Sequence, residues 1–226
     1  MKDKMVSQKR KGCLIALEGI DGSGKSTQAR MLAERMRHEG IACYATMEPT
    51  DSPIGALIRQ ILTGRVKTDN RVIAPLFVAD RLDHLLNEVN GILPKIEEGI
   101  HVITDRYYFS SYAYQGVDLP MDWVIRANEP NSAILRPAVT IFLDLTPELA
   151  LERIARNRFQ MELFEEKARL VQVREKYMEA FEALKGVERV AVVDAGRSLG
   201  EIADEVWEVV KEYIKMSDSG EEIWQR

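Results

Sequence analysis

The stretch CLIALEGIDGSGKST, Cys13–Thr27, decides how the rest of the chain is read. Its first six residues, Cys13–Glu18, are apolar up to the glutamate and have the length of a buried strand. The next eight, GIDGSGKS (Gly19–Ser26), fit G-x-x-x-x-G-K-[ST]. A helical run follows from Lys25 to Glu39 and stops at Gly40. Strand, glycine-rich loop and helix in this order form a phosphate cradle. Glycines let backbone N–H groups turn toward phosphate oxygens, and the helix N-terminus adds partial positive charge. Lys25 can reach the β- and γ-phosphates, and the Ser26 hydroxyl can bind Mg²⁺. The loop Gly19, Ile20, Asp21, Gly22, Ser23, Gly24, Lys25, Ser26 and Thr27 is therefore the candidate nucleoside triphosphate site. A dinucleotide G-x-G-x-x-G is absent, because Gly22-Ser23-Gly24 runs on into Lys-Ser-Thr. A guanine-reading Asn-Lys-x-Asp segment is absent too, which argues against a GTPase.

Outward from this loop, further strands are expected at 41–47, 100–104, 139–143 and 189–193. Helices are expected at 52–63, 72–93, 149–184 (with a charged break near 156–160) and 202–214. Strands alternating with helices imply a parallel sheet covered on both faces, a three-layer α/β fold. No Gly-, Pro- or Ser-rich linker, repeat or low-complexity segment divides the 226 residues. One domain over 12–215 is expected, with flexible tails at 1–11 and 216–226. At 46% hydrophobic and 30% charged the chain can bury a sizeable core. The net charge of −5 argues against a general nucleic-acid coat, so any anionic ligand must meet a local basic cluster. No apolar run reaches membrane-spanning length and no signal-peptide core follows the basic start, so a cytoplasmic protein is expected. Cys13 and Cys43 fit reduced thiols.

Three strands are expected to end on a carboxylate: Asp105, Asp144 and Asp194. Asp105, beside the phosphate loop, is well placed to hold Mg²⁺ with Ser26, and Arg106 next to it suits a second phosphate group. The run DRYYFSSYAYQG, Asp105–Gly116, resembles the thymidylate kinase signature D-R-[YH]-x-x-S-x-x-A-Y-Q-G. It matches at Asp105, Arg106, Tyr107, Ser110, Ala113, Tyr114, Gln115 and Gly116. LEGIDGSGKSTQ, MEPTDSPIGALIRQIL, LFVADR (Leu76–Arg81) and RPAVTIFLDLTPELALERI resemble other segments of the same family, so the likeness spans residue 13 to about 200.

The resemblance implies a P-loop kinase fold, a five-stranded parallel sheet in the order 2-3-1-4-5 with a short lid at about 153–162. It implies phosphorylation of dTMP to dTDP by ATP with Mg²⁺, supplying dTTP synthesis, in a homodimer. Phe77 would stack on thymine, and Arg81 would hydrogen-bond a base carbonyl. Arg59 and Arg106 would clamp the dTMP phosphate. Tyr114 would pack beneath the sugar, and Asp21 would accept from its 3′-hydroxyl. Ser111 and Gln115 would border the base, Pro49 would lie near its methyl group, and Glu48 and Ser110 belong to the same acceptor set. The roles fit the side chains: a flat ring stacks on a base, and arginine forks match phosphate oxygens.

RIARNR (153–158) carries Arg153, Arg156 and Arg158. The middle of the phosphate loop holds Gly22 and Ser23 and no arginine, so the likeness is to members whose lid supplies transition-state arginines. Arg197, after the last strand, could stack on adenine. No general base is needed, since the second phosphate pKa is about 6 and the attacking oxygen is anionic near neutrality. The chain departs from the family pattern at Met47, where many members have Arg, and at Thr50-Asp51, where a double glycine is common. The lid stretch RFQMELFEE matches the family only loosely. Rival readings are a deoxynucleoside kinase with Glu48 as its base, a kinase for dUMP or dCMP, and a nucleotide sensor without turnover.

Overall fold

A computed structural model describes residues 11–154 and 160–219 of the chain. Five strands, β1 (Leu14–Glu18), β2 (Cys43–Met47), β3 (His101–Asp105), β4 (Val139–Asp144) and β5 (Val190–Asp194), form one parallel sheet in the order β2-β3-β1-β4-β5. Leu14 of β1 lies opposite Val102 of β3, and Ile15 opposite Val139 of β4. Every residue of β1 and β3 is buried, whereas the edge strands β2 and β5 are only partly covered. Strands covered on both faces read as continuous apolar runs, which is why the central strands stand out in the sequence.

Nine helices are described: α1 (Lys25–His38), α2 (Pro53–Leu62), α3 (Asn70–Leu86), α4 (Ile92–Glu97), α5 (Tyr108–Gln115), α6 (Met121–Ile134), α7 (Pro147–Ile154), α8 (Gln160–Ala183) and α9 (Leu199–Ser219). They bury one continuous apolar core against the sheet. The expected fold class and strand order are observed.

Three helix expectations need correction. Residues 72–93 form two helices rather than one. The chain turns at Asn87, whose side-chain oxygen accepts from the backbone N–H groups of Val89 (3.0 Å) and Asn90 (3.4 Å), a local competitor to the helical ladder. Helices α5 and α6 were not expected at all. Seven of the eight residues of α5 are buried, so it shows no polar face to set a period. Finally, α9 spans Leu199–Ser219, longer at both ends than the helix expected over 202–214. The Ser217 hydroxyl donates to the Lys11 carbonyl at 2.7 Å and ties its C-terminal end to the start of the domain.

The C-terminal ends of β1, β3 and β4 meet where the strand order reverses about β1, the place where open α/β sheets bind ligands. The phosphate loop leaves β1 there, and Arg106 leaves β3.

Candidate active site

Gly24 caps α1 from the left-handed region, at φ 93°, and no side chain caps that helix. Its first-turn N–H groups are therefore open to an anion. Gly22, at φ 82°, packs so closely on α7 that a Cβ would lie 2.8 Å from the Ala150 carbonyl oxygen. Lys25 is buried, and its Nζ donates to the Ile20 carbonyl at 2.9 Å. Burial and the nearby Arg106 charge pull its pKa down to about 8. The Ser26 hydroxyl donates to Asp105 Oδ2, joining the first turn of α1 to the end of β3. Asp105 Oδ1 and the Ser23 hydroxyl are buried without a hydrogen-bond partner among the described residues. Asp105 lines a cleft of about 580 Å³ whose wall also includes Asp21, Lys25, Ser26, Arg106 and Arg153, whereas the Ser23 hydroxyl is turned toward the Gly19 backbone, 2.6 Å from where a Cβ on that glycine would stand.

Arg106 holds the other side of this cleft. It sits at φ 77°, a left-handed conformation costly for a side chain with a Cβ, and its N–H donates to the Leu17 carbonyl at 2.9 Å. Its guanidinium donates to the Ser110 hydroxyl at 3.0 Å and to the Asp21 carboxylate, and lies 4.9 Å from the Tyr114 ring centre. The Asp21 contact joins the phosphate loop directly to the expected acceptor side. Ser110 is turned inward: it donates to Glu18 at 2.6 Å while accepting from Arg106, so its hydroxyl orients the arginine.

Glu18 shapes this region and was not expected from the sequence to do so. Its two carboxylate oxygens accept from the Tyr107 and Ser110 N–H groups at 2.8 and 3.1 Å, and from the Ser110 and Tyr177 hydroxyls at 2.6 and 2.8 Å. Burial pushes its pKa up, and those donors work against the rise. It ties the start of α5 and the middle of α8 to the end of β1.

A second cluster lies on α3. Arg81 is buried with every guanidinium nitrogen engaged. Its Nε and Nη2 face Glu48 Oε2 at 2.8 and 2.7 Å. Its Nη1 donates to Ser111 and Asn128, and Nη2 also to the Tyr107 carbonyl. The other Glu48 oxygen faces His84 Nδ1 at 3.2 Å. Glu48 is thus a buried partner of Arg81 with both oxygens occupied, a poor position for a general base. Phe77 is half-buried one turn before Arg81 on α3, and Pro49 follows a cis peptide bond after Glu48. Gln115 ends α5 with its Oε1 buried and unpaired among the described residues. Tyr114 lies over Arg106 in edge-on contact with Tyr177, and its hydroxyl accepts from Arg106 at 3.4 Å.

Arg59, in the last turn of α2, donates to the Pro49 carbonyl at 3.0 Å and to the Thr50 carbonyl. Among the lid arginines, Arg153 reaches the Gly22 carbonyl at 3.5 Å and the Ala195 carbonyl at 2.9 Å, bridging the phosphate loop to the loop after β5. Arg156 and Arg158, with the rest of 155–159 of the expected lid, lie outside the described residues. Arg197 reaches the cleft wall while its guanidinium pairs with Glu205 and with the Asp194 carbonyl. No helix among the described residues is long and apolar enough to cross a membrane.

The signature motif pointed to Arg106, Tyr114 and Gln115. Nothing local pointed to Glu18, Tyr177 or Asn128, because their partners lie far away in sequence.

The chain matches the thymidylate kinase family model over residues 17–206. It is 39% identical to a probable thymidylate kinase of Pyrobaculum calidifontis over 198 residues, which is 87% of this chain and 95% of that protein. It is 38% identical to a thymidylate kinase of Symbiobacterium thermophilum, covering 88% of this chain and 93% of that one. A probable thymidylate kinase of Methanococcoides burtonii is 39% identical, over 91% of this chain and 99% of its own length. A match of this extent, over a cleft with a phosphate loop on one wall and an arginine-bearing strand end on the other, is decisive: the chain belongs to the thymidylate kinase family.

Proposed function

We propose that the chain transfers the γ-phosphoryl group of ATP to the 5′-phosphate of dTMP, giving ADP and dTDP for dTTP synthesis. The observation that carries this reading is the pairing of Asp21 and Arg106 across one cleft, which brings the triphosphate loop within reach of an acceptor arginine. A phosphate oxygen of dTMP attacks the γ-phosphorus as the bond to the β-phosphate oxygen breaks, and no proton needs removal. Catalysis is then positioning and charge stabilisation.

In this scheme the N–H groups of Gly19–Thr27 and Lys25 hold the triphosphate, and Arg197 lies toward adenine. Arg59 and Arg106 hold the acceptor phosphate. Phe77 stacks on thymine with Pro49 near its methyl group, and Tyr114 lies under the sugar with Asp21 toward its 3′-hydroxyl. Ser111 and Gln115 border the base, with Glu48 and Ser110 behind them. Arg81 presents its Nη1 to a base carbonyl by exchanging its long 3.2 Å bond to Ser111. Arg153, with Arg156 and Arg158 of the lid, neutralises charge developing on the transferred group. Ser26 and the unpaired Asp105 Oδ1 fit Mg²⁺. No group of three or more His, Cys, Asp or Glu among the described residues forms a closed cage, so its other ligands would be phosphates and water, as Mg²⁺ prefers. Bound there, Mg²⁺ would offset charge on the β- and γ-phosphates. A cytoplasmic homodimer completes the reading.

ADP release from MgATP, measured in parallel with dTMP, thymidine, dUMP and no acceptor, tests it. Turnover at least tenfold faster with dTMP than with thymidine or without acceptor is expected. Turnover with thymidine but not dTMP would overturn the reading.

A further inference from the structure

Thr50 and Asp51 stand where the family pattern commonly has two glycines, and Thr50 has specific partners here. Its N–H donates to Asp80 Oδ2 at 2.8 Å and its hydroxyl to Asp80 Oδ1 at 2.6 Å. The Ser52 hydroxyl donates to the same Oδ1 at 3.0 Å. Asp80 is buried on α3, next to Arg81. The segment also lies hard against α2: a Cβ on Gly55 would stand 1.9 Å from the Thr50 carbonyl oxygen, and Ser52 caps that helix through the Gly55 N–H. The Thr50 and Pro49 carbonyls in turn accept from Arg59 Nη1. That leaves Arg59 Nε and Nη2 without a hydrogen bond to the described residues, with Nη2 3.4 Å from the exposed Asp51 carboxylate.

We infer that Asp80 is a positioning residue for the acceptor phosphate: acting through Thr50, it holds the 49–51 segment so that Arg59 is fixed through Nη1 and keeps Nε for the ligand, along with the Nη2 that here faces the exposed Asp51. The inference rests on the reading of Arg59 as an acceptor-phosphate clamp. A glycine at 50 would keep the N–H bond to Asp80 but lose the hydroxyl, and the unbound segment would sample more conformations. Thr50 replaces that freedom with a side-chain anchor, so less ordering remains for dTMP binding. Asp80 touches neither nucleotide in this scheme, and its effect is confined to the phosphate end of the acceptor.

The test compares dTMP with thymidine, which differ only by that phosphate, in calorimetric titrations of the full chain. Thr50→Val should weaken dTMP binding about tenfold while thymidine changes less than about threefold. KM for dTMP should rise more than kcat falls, and Thr50→Ser should restore wild-type values. Asp80→Asn should match or exceed Thr50→Val. If Asp80→Asn does not fold, Thr50→Val carries the test, because it removes one hydroxyl from a half-buried site. Equal losses for both ligands in Thr50→Val would overturn the inference as a general structural effect. So would an unchanged Thr50→Val beside an Arg59→Ala that loses dTMP affinity alone. Arg59→Ala leaving the dTMP-to-thymidine ratio intact would overturn the clamp reading itself, and the inference with it.

Discussion

Lys25 shows what a functional side chain costs when no ligand is present. It is buried and donates to a single carbonyl, and its charge is unfavourable enough to bring its pKa from 10.5 down to about 8. Below pH 8 both the native and the unfolded chain carry the proton, and the native state bears the full penalty. Between about 8 and 10.5 the unfolded chain still holds the proton while the native one releases it. Stability from this group therefore rises with pH across that window, by roughly 3 kcal/mol in total. Lys25→Met removes the titrating group. In urea unfolding without nucleotide, the variant should exceed wild type in stability at pH 7, and the gap should close as pH rises toward 10. Activity should be lost at every pH, because the amine is placed for phosphate, not for the empty fold. The same tension holds at Arg106, whose left-handed backbone persists because its N–H, its guanidinium and its ring neighbour all find partners.

Among the elements, α5 depends most on one distant residue. Glu18, at the end of β1, takes two N–H groups from the start of α5, the Ser110 hydroxyl, and the Tyr177 hydroxyl from α8. Removing one donor leaves a buried carboxylate short of a partner. Tyr177→Phe should lower thermal stability by about 1–2 kcal/mol with little change in KM for dTMP. Ser110→Ala should lower stability by a similar amount and also raise that KM, because the same hydroxyl orients Arg106. Calorimetry and steady-state kinetics on the two variants separate these outcomes. The example also shows what the sequence could and could not disclose. The phosphate loop was legible because its parts lie within eight residues, and β1, β3 and β4 because sheet burial makes them apolar throughout. The motif at 105–116 named Arg106, yet α5 itself was hidden by burial on nearly all sides. The partners that orient Arg106 and Arg81 were hidden too: Glu48 is 33 residues from Arg81, and Glu18 is 92 from Ser110. No local pattern encodes such pairs; only the order in which parallel strands assemble brings them together.

At the scale of the whole molecule, the strand order β2-β3-β1-β4-β5 puts the cleft at one end of the sheet, and α3, which carries part of the proposed acceptor site, packs against both α2 and α6. These three helices carry exposed apolar groups: Leu57 is 38% exposed, Leu62 60%, Val72 48%, Trp123 37% and Ile134 36%. A scattering of exposed apolar residues is ordinary on any surface, but five on three adjoining helices suit a shared face in the proposed homodimer. A two-fold pairing would bury α3 on its outer side while its inner side carries Phe77, Asp80 and Arg81, so the interface and the acceptor site would stabilise the same helix. Sedimentation equilibrium should then give twice the chain mass at micromolar concentration. Val72→Glu combined with Trp123→Glu should shift the protein toward monomer. The monomer should show a higher KM for dTMP than the dimer, with KM for ATP changed less, because α1, which follows the phosphate loop, packs mainly on the sheet and α9 rather than on α2, α3 or α6. A wild-type monomer at those concentrations, or a monomeric variant with unaltered dTMP kinetics, would separate the acceptor site from any pairing of chains.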